Sequence, residues 1–327
     1  GTYPIALAVA PDGKRAFVAL WNASEVVELD LKKMAIGRKV RVLKPDDPVK
    51  PGSHPCAFQI SPDGRTLYVA LANRDAVAEV SIRRRAFRVK GYFDTRLPHQ
   101  SYFGAEPVAL ALNADGSRLY AANLGSDAVA VIDTRKLTHK AARQGFAEPE
   151  GFVPTEWMPL SMAFSGGKLF VATDKGKGTG PNNMPQREAE GATRRRLPST
   201  YIGTLLYGSL AVVDAGEIDR GLPDMTAEVL RENRMNSGEA KIAFAGGRNP
   251  IKHVIYIIKE NRTYDQIFGD LKEDGKMVGN GDAGLTTYGA SITPNLHKLA
   301  LQFGVLDNFF DSGEVSGDGH VWSNAAI

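Results

Sequence analysis

EPVALALNADGSRLYAANLGSDAVAVID, residues 106–133, decides the fold of roughly the first two hundred residues. It reads as three short strands. An apolar run, Glu106-Pro107-Val108-Ala109-Leu110-Ala111, leads to a turn at Ala114-Asp115-Gly116, and a second run follows at Leu119-Tyr120-Ala121-Ala122. Asn123 then precedes a third, Ala128–Asp133. Asp-Gly suits a tight hairpin because Gly takes the positive-φ position without steric cost. The same order recurs at a spacing of about 52 residues, opened by Tyr3-Pro4-Ile5-Ala6-Leu7-Ala8, His54-Pro55-Cys56-Ala57-Phe58 and Met158-Pro159-Leu160-Ser161-Met162-Ala163. Its turns are Pro11-Asp12-Gly13, Pro62-Asp63-Gly64 and a degenerate Ser165-Gly166-Gly167, and its second strands are Ala16–Leu20, Leu67–Leu71 and Leu169–Ala172. Asn22 and Asn73 repeat the position of Asn123.

Several short strands per unit, repeated radially, is how a β-propeller avoids open sheet edges. The repeat resembles the YVTN family of β-propellers over residues 1–215. Four units are few for a closed ring and the first begins at residue 3, so further blades are expected upstream, seven in the parent. The fourth unit is interrupted after Thr173-Asp174 by a Gly-rich polar stretch to Pro198, and the pattern resumes at Tyr201–Asp214. That stretch lacks the GxxxxGK[ST] order and a following helix, so it reads as a long surface loop rather than a nucleotide loop. Residues 216–250 read as a connector with a short helix, Asp224–Asn236, starting after Pro223.

From Ile251 the pattern changes to strand-then-helix. IKHVIYIIKENRTYD, residues 251–265, carries a continuous apolar run, Val254–Ile258, ending in Lys259-Glu260-Asn261-Arg262. Such runs suit buried central strands of α/β sheets, where ligand chemistry sits at the strands' carboxyl ends. Glu260 and Asn261 stand where a metal or an anionic substrate would be held. The copy of this tripeptide at Glu232-Asn233-Arg234 has no strand before it and reads as an exposed helix end. Residues 263–270 suggest a short amphipathic helix or turn, and 272–290 a Gly-rich loop. A helix is expected over Pro294–Phe303 with Thr293 as N-cap, Pro294 at its first position and Gly304 at its stop. A second strand is expected at Val305–Phe310, then a polar loop, Asp311–His320, containing Ser316 and Asp318.

IKHVIYIIKENRTYDQIFGDL is similar to the ENR[ST][FY]D strand of the bacterial phosphoesterase family of phospholipases C and acid phosphatases, in the alkaline phosphatase superfamily. TPNLHKLALQFGVLDNFF resembles the superfamily segment leading to the nucleophile. The resemblance implies the start of an α/β alkaline-phosphatase-like domain over residues 251–327, metal binding by Glu260 and Asn261, and Ser316 as nucleophile. It also implies a substrate contact for His320. Asp265 and Asp318 are further possible ligands. The implied cofactor is a divalent ion (Zn²⁺, Mn²⁺, Mg²⁺ or Ca²⁺), which would lower the pKa of the Ser316 hydroxyl and neutralise developing charge. The implied substrate is a small phosphate ester or a phospholipid headgroup. The superfamily's remaining metal ligands come from strands well beyond the nucleophile, so the chain as it stands is expected not to turn over alone. The other reading is a propeller binding module carrying a hydrolase remnant. A propeller lactonase would need carboxylates and histidines around a central tunnel, and no blade motif supplies that cluster.

The bulk numbers exclude rather than choose. With 43% hydrophobic and 24% charged residues and a net charge of +3, the chain gives no reason to expect a polyanionic partner. Arg83-Arg84-Arg85 and Arg194-Arg195-Arg196 lack interleaved aromatics and read as solvated surface, not a nucleic-acid site. A single cysteine, Cys56, rules out an intrachain disulfide and a cysteine-based zinc site. No apolar run has the length of a membrane-spanning helix. His253, His54, His99, His139 and His297 show no spacing suggestive of a site. The expected location is the periplasm or exterior of a bacterium, with no signal peptide in this chain. The propeller is expected to contact its own hydrolase domain or another protein.

Overall fold

Each of the first three repeats folds as one four-stranded antiparallel sheet with its strands in sequence order. The first holds β1 (Pro4–Val9), β2 (Arg15–Leu20), β3 (Glu25–Asp30) and β4 (Ala35–Arg41). The second holds β5 (Pro55–Ile60), β6 (Thr66–Leu71), β7 (Ala76–Arg83) and β8 (Ala86–Asp94). The third holds β9 (Pro107–Leu112), β10 (Arg118–Asn123), β11 (Ala128–Asp133) and β12 (Gly151–Pro154). A fourth sheet has three strands, β13 (Trp157–Ser165), β14 (Lys168–Gly176) and β15 (Ser209–Asp214). The computed structural model describes residues 2–42, 52–101, 103–137, 146–176, 207–235, 243–307 and 316–325. They fall into two units, residues 1–240 and 241–327. The interruption after Asp174 lies largely outside the described residues, as do 308–315.

The four sheets are blades of a propeller. Their first strands β1, β5, β9 and β13 lie side by side, and each gap between blades is filled by apolar side chains from both. Phe17 and Val26 of the first blade pack with Leu67, Val69 and Val80 of the second. Tyr68, Val77 and Phe93 meet Leu110, Leu119 and Ile132 across the next gap. Tyr120, Val129 and Val131 meet Leu169 and Val171 across the third. Cys56 is part of this seam: its thiol donates to the Pro107 carbonyl at 3.3 Å, and burial pushes the thiol up to about 12. The fourth strands β4 and β8 escape a reading by hydrophobic runs because basic residues alternate through them, as edge strands require.

The repeat carries a second regularity that composition hides. The residue before each opening proline has a positive φ: Tyr3 51°, His54 50°, Glu106 53° and Met158 61°. So does the residue before the third strand of each of the first three blades: Ser24 55°, Asp75 46° and Asp127 47°. The two positions are joined across the blade gaps. The Ser24 hydroxyl accepts from the Ser53 amide at 2.9 Å. The Asp75 carboxylate accepts from the amides of Gly104 (2.9 Å) and Glu106 (3.0 Å), and Asp127 from that of Met158 (2.7 Å). Each blade thus holds the backbone that opens the next one. Asn73 and Asn123 add to the joints by donating to the carbonyls of Gly52 and Thr95. Burial raises the carboxyls of Asp75 and Asp127 above the ordinary range, and the donated amides oppose that rise.

After β15 the chain enters α1 (Ala215–Glu232), a helix of 18 residues where the sequence suggested a short one beginning after Pro223. Its start is set by Asp214, whose side chain accepts from the amides of Gly216 and Glu217. Ile218, Leu222 and Val229 are buried on one face, the first two against the third blade gap. Thr226 Oγ1 accepts from the Phe152 amide at 2.8 Å, tying α1 to β12. This segment is therefore part of the propeller unit rather than a free connector. Glu232-Asn233-Arg234 ends the helix, as read from the sequence, with Asn233 donating to the Ser126 carbonyl. Pro223 lies inside the helix and is exposed. Proline in a helix interior costs ~3 kcal/mol, less its benefit in the unfolded chain. Pro223→Ala is therefore expected to stabilise the propeller unit by about 2 kcal/mol in a urea melt.

The second unit contains α2 (Tyr264–Phe268), a hairpin of β16 (Lys272–Glu273) and β17 (Lys276–Met277), α3 (Pro294–Phe303) and α4 (Ser316–Ala325). The expected buried strand at 254–258 does not form. Residues 251–260 carry no strand pairing, and Val254 and Ile255 are 82% and 86% exposed. A central strand needs neighbours on both edges and helices on both faces. Among the described residues of this unit, the only ladder is the two-residue β16–β17 hairpin. Val305 and Leu306 are likewise outside any strand. The α3 reading stands at Pro294 and at Gly304, whose φ is 97°, but Thr293 makes no capping bond. Its hydroxyl donates to the Tyr288 carbonyl at 2.7 Å instead. No helix among the described residues is long and apolar enough to cross a membrane.

Candidate functional site

Two turns bring the sequence motifs of the second unit together. Asn261 takes φ 67°, a left-handed conformation that Asn tolerates better than most residues, and reverses the chain after Glu260. Thr263 then starts α2 with a capping box. Its hydroxyl accepts from the Gln266 amide, and the Gln266 side chain accepts from the Thr263 amide. Ser316 and His320 lie on α4 four positions apart, on one helical face. The Tyr256 hydroxyl donates to the Ser323 carbonyl at 3.4 Å, linking residues 251–260 to α4.

The product is a contact that the sequence leaves open. Glu260 Oε2 lies 3.4 Å from His320 Nε2, with both side chains a little under half exposed. Ser316 is exposed at the first position of α4. The start of a helix favours an anion through its dipole. Asp265 does not join the pair: its carboxylate accepts from the Asp282 amide at 2.7 Å. Asp318 belongs to α4, and its side chain lies outside the described residues. Burial, followed by the carboxylates of Asp307 and Asp265, pushes the Tyr264 phenol up. His297 is a satisfied core histidine, with Nδ1 2.9 Å from the Thr293 carbonyl oxygen and Nε2 3.2 Å from Asp270.

A carboxylate oxygen beside an imidazole nitrogen, with an amide next in sequence, is a donor set suited to a divalent ion. It is a partial set. Among the described residues there is no cluster of three or more His, Cys, Asp or Glu that could hold a metal.

The propeller unit has a polar and aromatic cluster that pattern reading missed. Trp21 and His54 stack with ring centroids 3.7 Å apart, and Tyr3 lies 6.2 Å from Trp21. Arg74 is almost wholly buried, with its guanidinium 5.8 Å from the Phe103 ring centroid. Burial, then the Arg74 charge, holds the His54 imidazole below its ordinary range. The only sequence signal was positional: Tyr3 and His54 hold the residue before the opening proline, and Trp21 and Arg74 sit near the ends of the second strands.

No curated protein matches this chain. The family profile described as "Lactonase, 7-bladed beta-propeller" matches residues 2–151, the span of the first three blades. Among solved structures, hydrazine synthase of Kuenenia stuttgartiensis is 24% identical, with a TM-score of 0.42 over 53% of this chain and 42% of that one. Virginiamycin B lyase of Staphylococcus aureus is 17% identical, with a TM-score of 0.39 over 52% of this chain and 48% of that one. A periplasmic gluconolactonase of Pseudomonas aeruginosa is 18% identical, with a TM-score of 0.39 over 47% and 40%. The chain spans less than half the length of each, and likenesses this distant carry no statement about chemistry. The profile match is to the lactonase propellers, the class the sequence reading set aside. The first unit is a β-propeller fold with four blades among the described residues, and its first three blades are similar to the seven-bladed lactonase propellers.

Proposed function

We propose that the second unit is part of a phosphate-ester hydrolase whose substrates are small phosphate esters or phospholipid headgroups and whose attacking group is Ser316. The observation that carries this reading is the approach of Glu260 to His320, which joins two motifs far apart in sequence. The Ser316 oxygen forms a bond to phosphorus, the ester P–O bond breaks, and the alcohol leaves. Water then releases phosphate from the phosphoserine and restores the hydroxyl. His320 takes the hydroxyl proton and returns it to the leaving alcohol, while Glu260 faces Nε2 and stabilises the imidazolium. The amides at the start of α4 receive the charge on the phosphoryl oxygens. Glu260 and Asn261 would hold a divalent ion (Mg²⁺, Mn²⁺, Ca²⁺ or Zn²⁺), which when bound supplies further neutralisation of that charge. The test is release of nitrophenol from p-nitrophenyl phosphate and p-nitrophenyl phosphorylcholine, with each ion added in turn.

The lactonase profile over residues 2–151 favours a second reading, ester hydrolysis of a cyclic sugar lactone by the propeller. The cluster of Trp21, His54 and Arg74 is where that reading would look for its site. Acid release from a δ-lactone, unchanged by Ser316→Ala, would establish it in place of the first.

A further inference from the structure

We infer that Arg262 and Tyr288 are positioning residues that clamp the turn on which Glu260 and Asn261 would hold a divalent ion, a duty that rests on the metal role proposed for that pair. Glu260 and Asn261 have a task in the proposed reaction, whereas Arg262, the third member of the motif, has none. Asn261 stands in the left-handed region at φ 67°, a conformation that a residue with a Cβ adopts at a cost and keeps where its surroundings impose it. The tripeptide does not impose it alone. In the other copy, Glu232-Asn233-Arg234, the asparagine takes φ −81° at the end of α1, and the left-handed residue is Arg234 at φ 54°.

At 260–262 the arginine is engaged at both ends of its guanidinium. It donates to the Asn261 carbonyl at 2.7 Å and lies 4.8 Å from the Tyr288 ring centroid. Fixing that carbonyl fixes the peptide that leaves Asn261, and with it the turn after Glu260. Tyr288 is anchored in its turn. Its amide donates to the Gln266 carbonyl at 2.7 Å, and its own carbonyl accepts from the Thr293 hydroxyl at 2.7 Å. Gln266 closes the capping box with Thr263, the residue that follows Arg262. The contacts therefore run in a ring, from Asn261 through Arg262, Tyr288 and Gln266 to Thr263. This gives the end of the Gly-rich stretch 272–290 a duty, which is to bring an aromatic face to the arginine. A guanidinium can stack on such a face and still donate from its edge, which an ammonium does less well.

Binding of Mn²⁺ to the full 327-residue chain, followed by the paramagnetic resonance signal of the free ion, tests the clamp. E260Q should abolish binding and so identify the site. R262A should weaken it about tenfold, the lower end of what is lost when a group that orients metal ligands is removed. R262K keeps a donor without the planar fork and should fall between R262A and the parent. Y288F keeps the ring and should bind as the parent does, whereas Y288L should bind about threefold more weakly. If circular dichroism shows R262A misfolded, R262K and the contrast of Y288L with Y288F carry the test. Binding that is lost in E260Q but unchanged in R262A would overturn the clamp. Tighter binding in R262A would overturn it too, as the mark of a guanidinium that only repels the ion. No binding by the parent, or equal binding by E260Q and the parent, would overturn the metal role itself and the clamp with it.

Discussion

Ser316→Ala is expected to lower phosphoester turnover at least about 10³-fold, the scale on which removal of a covalent nucleophile acts. The loss should fall on kcat, because Ser316 makes its new bond only as the reaction proceeds. Folding should be indifferent to the change. Ser316 is exposed at the start of α4, and surface substitutions away from packing usually stay within about 0.5 kcal/mol. The same change at Ser323, whose hydroxyl donates to the Gly319 carbonyl inside α4, should leave turnover within a few-fold of the parent. A fall of less than tenfold for Ser316→Ala, in a preparation with measured turnover, would remove Ser316 from the mechanism.

Asp75→Ala is expected to be the most damaging single change in the propeller. It strands the amides of Gly104 and Glu106 at a joint between blades where Asp75 itself is about 1% exposed. A buried donor left without its acceptor costs about 1–3 kcal/mol, so two of them place the loss near 4 kcal/mol. The first thermal transition should fall by about 10 °C for a unit of this size. Asp75→Asn keeps one acceptor oxygen and should lie between parent and Ala variant. Asp75→Ala also bears on pH. The folded carboxyl is raised above its unfolded value, so it favours folding most below the ordinary carboxylate pKa and less as pH rises through the raised one. The variant should lose that part of the slope. A melt within about 1 kcal/mol of the parent would show that the joints are held by apolar packing alone.

The propeller was legible because its information is local and repeated. Apolar runs recur four times and Asp-Gly turns three times, and the observed strands coincide with the runs. The joints were not legible. Asp75 and Asp127 look like ordinary turn residues in a single sequence, and only their positive φ and their bonds to the next blade reveal a structural duty. The fourth strands β4 and β8 were passed over because basic residues interrupt their apolar pattern. In the second unit, α3 could be read from its proline and glycine, whose chemistry is complete within a few residues, whereas the capping box that starts α2 appeared only in the structure. The strand at 254–258 could not. Its apolar run expresses a wish for burial, and burial depends on neighbours that the run does not encode. The contact between Glu260 and His320 is a matter of tertiary placement, and the sequence offered the two residues without the distance.

The central claim is that Ser316 is the attacking group of a phosphate-ester hydrolase, and covalent trapping tests it most directly. The full chain is mixed with p-nitrophenyl phosphate and a divalent ion, quenched in acid and digested, and its peptides are searched by mass spectrometry for an added phosphoryl group. The account predicts a phosphoserine at Ser316 that is absent in the Ser316→Ala variant. Nitrophenol release with no label at Ser316, or lactone hydrolysis with no phosphoester turnover at all, would contradict it.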